Sequence, residues 1–102
     1  MTDDGESSAC LVECYWPGVT EQKLVAAVER LRALVEQQCP HGSGARLLGS
    51  ILVPVDETVF CLFEGEREEV EALSTAAELP FGRILGSRWI DATRRFGDET
   101  QA

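Results

Sequence analysis

Histidine, basic charge and long apolar runs are scarce in this chain of 102 residues, and each shortage excludes something. The single histidine is His41, set in a glycine-rich loop. Serine-hydrolase chemistry would have to draw on that one residue. Nine basic side chains stand against eighteen acidic ones, a formal charge of −9. A phosphate backbone or an anionic lipid surface is repelled by that balance, so neither nucleic acid nor membrane is expected as a partner. The longest apolar run, residues 47–55, is broken by Gly49, Ser50 and Pro54 and is far too short to span a bilayer. Residues 1–8 carry no positive segment and no apolar segment, so no signal peptide is read and a cytoplasmic location is expected. There is no C-x-x-C pair and no G-x-S-x-G elbow. Gly42-Ser43-Gly44 is not followed by the Gly-Lys-Ser/Thr of a phosphate-binding loop.

What is present suits one globular domain. Apolar residues make up 44% and charged residues 26% of the chain, ordinary values for a folded protein of this length. Residues 1–9 and 92–102 are polar and acidic and read as flexible tails around a domain at 10–91. Residues 10–16 favour a strand through Val12, Tyr15 and Trp16, and Pro17-Gly18 ends it. Thr20 is a good N-cap. Leu24, Val28, Leu31 and Val35 then repeat at helical spacing, widened by Ala27 and Leu34, which predicts a helix over 20–38. Residues 39–44, Cys-Pro-His-Gly-Ser-Gly, form a loop of breakers. Strands are expected at 47–55 and 58–64, joined by a tight turn at Asp56-Glu57 and hence antiparallel. A second helix at 66–78 turns Val70, Leu73, Ala76 and Ala77 inward. Its acidic start, Glu66, Glu68, Glu69 and Glu71, suits the helix dipole. A last strand is expected at 83–91. The order βαββαβ predicts an α+β, ferredoxin-like sandwich: a four-stranded antiparallel sheet with two helices on one face. Right-handed crossovers set the strand order 4-1-3-2.

Both faces of that sheet read as apolar. In the third strand Val59, Cys61 and Phe63 alternate with Phe60, Leu62 and Glu64. In the second, Leu47, Ile51 and Val53 alternate with Leu48 and Leu52. A sheet with one solvated face would alternate apolar with polar residues. The helices cover one side only, so a second copy of the chain is the expected cover for the other, giving a homodimer through the open sheet face. Glu13 breaks the first strand. It shares a parity with Leu11 and Tyr15, opposite to Val12, and is placed on the open face, as is Glu64. Two carboxylates on a partly apolar face can serve binding or acid–base work. Against that, Glu13 can pair with an arginine, Arg88 or Arg46, or lie at a wet margin. The parity of Arg88 stays open because Gly86 is a candidate bulge. Glu13, Glu64, Tyr15 and Arg88 are the candidate ligand-binding residues. Cys39 and His41, two apart, are the candidate metal ligands, though they supply two donors at most. Cys10 and Cys14 lie four apart on one strand, about 13 Å between Cα atoms, too far for a disulfide. The four cysteines are expected to be free thiols, as a reducing compartment implies.

Leu11-Val12-Glu13, Pro17-Gly18-Val19-Thr20-Glu21, Leu48-Gly49-Ser50, residues 59–64 (Val-Phe-Cys-Leu-Phe-Glu) and Leu79-Pro80-Phe81 together resemble a family of small, mostly actinobacterial, ferredoxin-like proteins of unknown function. Some of its members are described as nickel-binding. Eight arginines against one lysine fit a GC-rich genome of that kind. The resemblance spans about residues 10–91. It implies a ferredoxin-like dimer and a divalent metal such as nickel, with Glu13 and Glu64 at the positions of family glutamates. The expected function is a small dimeric binding protein for a small molecule or a divalent metal ion. The alternative is a small enzyme of the dimeric α/β-barrel type, monooxygenase- or cyclase-like, with an acidic residue in its cleft.

Overall fold

The computed structural model describes residues 8–38 and 44–90. Four strands and two α-helices follow in the order β1 (Ser8–Tyr15), α1 (Glu21–Gln38), β2 (Arg46–Val53), β3 (Thr58–Glu64), α2 (Arg67–Ala76) and β4 (Phe81–Arg88). The sheet runs β2-β3-β1-β4, and every neighbouring pair is antiparallel. This is the ferredoxin-like βαββαβ arrangement, in the strand order that right-handed crossovers require. No helix among the described residues is long and apolar enough to cross a membrane.

The elements form where local chemistry favours them. The Thr20 hydroxyl accepts the Lys23 backbone N–H at 3.1 Å, capping α1. Leu24, Ala27 and Leu31 of α1 are buried, with Val28, Leu34 and Val35 packed beside them. In α2 the buried set is Val70, Leu73 and Ser74, followed by Ala77, an i, i+3, i+4, i+7 stripe. Ser74 takes the inward place expected of Ala76, which is exposed. Arg30 of α1 donates from Nε and Nη2 to the Ala77 carbonyl at 3.2 and 3.1 Å, satisfying a group at the end of α2. Both helices bury their stripes against Cys10, Val12, Cys14, Val59, Cys61, Phe63 and Ile84, so they share one face of the sheet.

Several boundaries move from the sequence expectation. β1 takes in Ser8 and Ala9, because they pair with Arg88 and Ser87 of β4. β2 ends at Val53, not Val55, since Pro54 opens a 3-10 turn, Pro54–Asp56, closed by Glu57 at φ 51°. β4 starts at Phe81, two residues before the expected Arg83. Residues 1–7, 39–43 and 91–102, including most of both expected tails, lie outside the described residues.

Candidate functional site

The register arranges the uncovered face in rows across the strands. One row reads Arg83, Glu13, Phe60, Ile51 in the order β4-β1-β3-β2. The next reads Leu85, Leu11, Leu62, Gly49. A register shift between Leu47 and Gly49 leaves Leu48 as the extra residue, so Leu48 and Gly49 together oppose Leu62. The third row reads Ser87, Ala9, Glu64, Arg46. An apolar middle row with four leucines therefore separates two charged corners placed diagonally across the sheet. Tyr15, next along β1 on the same parity as Glu13, is 63% exposed, and Ile51 is 62% exposed. No element among the described residues covers these side chains.

The bulge at Leu48 corrects one assignment. Leu47 does not share a face with Ile51 and Val53. It pairs with Phe63 and packs against the core, while Ile51, on the far side of the bulge, faces outward. Leu52 is on the core side opposite Val59, as Ser50 is opposite Cys61.

Each corner is an ion pair. Arg83 donates from Nε to Glu13 Oε1 across β4 and β1. Arg46 donates from Nε to Glu64 Oε1 at 2.7 Å across β2 and β3. The pairs are partly solvated: the Glu13 and Arg83 side chains are 30% and 65% exposed. Glu13 and Glu64 share the open face, as their parity implied, but the structure does not bring them together. Glu13 faces Phe60, and Glu64 lies four residues further along β3, roughly 13 Å away. Arg88 is corrected as a member of this face and as the partner of Glu13. It pairs with Ser8 and has the parity of Ile84, the helix side, because the irregularity in β4 falls beside Gly82 rather than at Gly86. Arg83 is the residue that sequence reasoning missed. Its alternation with Leu85 and Ser87 is visible in the chain, but only the register with β1 sets it beside Glu13.

The remaining candidates fall elsewhere. Cys39 and His41 lie outside the described residues. Among the described residues, no three His, Cys, Asp or Glu side chains come together in a way that could hold a metal ion. Cys10, Cys14 and Cys61 are free and buried. They face the helices, and burial pushes each thiol above its ordinary range, so they are poor nucleophiles. A groove of about 510 Å³, which the sequence did not announce, runs between α1 and β2. Leu24, Val25, Val28 and Leu52 form its apolar lining, and Glu21 and Arg32 stand beside them.

No protein-family model matches the chain, and no curated protein does. Among solved structures, SCO4226 from Streptomyces coelicolor A3(2) is similar, with a TM-score of 0.68 at 18% sequence identity. The match covers 81% of this chain and 99% of that one. The two chains share a fold. At this identity the likeness says nothing about a ligand or a reaction.

Proposed function

We propose that the chain works as a homodimer that closes its open sheet face against a second copy and binds a small ligand between the two sheets. The observation that carries this reading is the make-up of the face: an apolar middle row flanked by two charge-balanced corners. Burial of each large apolar side chain contributes roughly 1.5–3 kcal/mol relative to exposure, a strong incentive to cover the leucine row. A second copy is the matching cover. The chain as a whole carries −9, so two copies repel over most of their surfaces. The paired charges of this face, two glutamates and two arginines, cancel. A two-fold axis can therefore bring the same patch together from both chains without net like-charge contact. The three buried thiols fit the reducing cytoplasm.

Binding is favoured over catalysis because both carboxylates of the face are engaged in ion pairs rather than held ready for proton transfer. A small organic ligand is favoured over a metal. The carboxylates of the face are far apart, and each already holds an arginine. Nickel, which the family resemblance implies, would draw on Cys39 and His41, the metal ligands expected from the sequence. Native mass spectrometry of protein from its own host separates these cases. The expected species is two chains of 11.2 kDa with one or two small organic masses retained. A bare monomer overturns the proposal. A dimer with stoichiometric metal and no organic mass replaces the ligand chamber with a metal site.

A further inference from the structure

The Glu13–Arg83 pair turns most of its hydrogen-bonding groups toward solvent rather than toward the protein. Its one bond engages Arg83 Nε and Glu13 Oε1. Among the described residues, neither Oε2 of Glu13 nor the two terminal amino groups of Arg83 has a further partner. A guanidinium carries five N–H donors in a planar fork, so four remain, in a geometry that suits a carboxylate. The free carboxylate oxygen beside them suits an ammonium group. Around the pair the floor is apolar, with Leu11 and Leu85 in the adjacent row and Phe60 across β3. Tyr15 follows on β1.

We infer that Glu13 and Arg83 together anchor a small zwitterion with an apolar body, an α-amino acid of the leucine or phenylalanine kind. Its carboxylate takes the terminal amino groups of Arg83, its ammonium takes Glu13 Oε2, and its side chain lies on Leu11, Leu85 and Phe60. A plain carboxylate satisfies Arg83 but places its charge against Glu13. A plain amine satisfies Glu13 and meets Arg83. Only a molecule with both charges matches the pair without an uncompensated contact. The inference rests on the dimer proposed above. In one chain the pair is too wet to bind firmly, and a second sheet removes the water that screens it.

Titration calorimetry with three probes tests this: L-phenylalanine, 3-phenylpropionate and 2-phenylethylamine, each at neutral pH, with sedimentation velocity on the same samples. L-phenylalanine is expected to bind at least ten-fold more tightly than either half-molecule. The double substitution Glu13→Gln with Arg83→Gln, which leaves no unpaired charge on the face, is expected to weaken it ten-fold or more while sedimenting as wild type does. Both side chains are partly exposed, so the substitutions leave the core intact. A wild-type chain that sediments as a monomer defeats the dimer and this site with it. A dimer that binds L-phenylalanine no better than 3-phenylpropionate, or equally well after the double substitution, leaves the dimer standing and overturns the zwitterion site.

Discussion

Cys14 has no solvent contact, and burial pushes its thiol from the ordinary 9.0 up to about 12, with the nearby Cys61 and Glu13 adding to the rise. The folded state therefore keeps a proton that the unfolded chain loses near pH 9. The sign follows. The stability tied to this thiol is fully present below about pH 9 and is lost as pH climbs toward 12, at about 1.4 kcal/mol per pH unit. Urea midpoints under reducing conditions are expected to fall between pH 9 and 11 with a shallower slope in Cys14→Ala than in wild type. Equal slopes would show that Cys14 titrates alike in both states. The inward placing of Cys14 and the outward placing of Glu13 were legible, because strict alternation with Val12 fixes both. The partner of Glu13 was not legible. Arg83 reaches it only through the irregularity beside Gly82, and a single residue of register moves every side chain of a strand to the other face.

Gly65 shows how two elements are held together. It follows β3 at φ 140°, and a Cβ there would stand 2.7 Å from the Ala45 Cα and 2.8 Å from its Cβ. Ala45 is itself buried, just ahead of β2, so the end of one strand rests on the approach to its neighbour. Gly65→Ala combines a strained backbone with a steric overlap and is expected to cost roughly 2–5 kcal/mol, read as a drop in thermal midpoint of about 8 °C or more. A shift within a degree or two would mean that the contact relaxes freely. Gly86→Ala, on the parity of Ile84 and so away from the open face, is the matched control, since nothing lies within 4 Å of a Cβ at that position. Elements were legible where their period was clean. β3 alternates without a break, and the α1 stripe runs from Leu24 to Val35 under a threonine cap. The ends of β2 and β4 were less so. Pro54 reads as part of an apolar run until its 3-10 turn is seen, and Phe81-Gly82 reads as a loop because the glycine hides the strand it belongs to. The bulge at Leu48 left no mark in the sequence beyond Gly49 itself.

At the scale of the molecule, four strands and two helices account for one sheet face, and the leucine row on the other face stays uncovered. That imbalance was legible in the chain, because a strand apolar on both parities needs two covers. How a second copy would sit on it was not, since the rows exist only once register is set. Leu62 lies at the centre of the middle row, between Leu11 and Leu48-Gly49. A two-fold axis through the centre of this row brings the Leu62 positions of both chains near each other, so Leu62→Asp places two carboxylates in one buried patch. Desolvating unpaired charge costs several kcal/mol, more than the row returns at that position. The variant is expected to sediment as a monomer with the far-ultraviolet circular dichroism of the wild type. Leu85→Lys, at the 37% exposed end of the same row, is the milder probe and should shift the equilibrium toward monomer without threatening the fold. Val25→Asp on α1 adds the same charge on the other side of the molecule, at a residue already 48% exposed, and is expected to leave the dimer intact. If Leu62→Asp and Leu85→Lys dimerise as wild type does while Val25→Asp does not, the two copies meet along the α1–β2 groove, and the open sheet face has some other use.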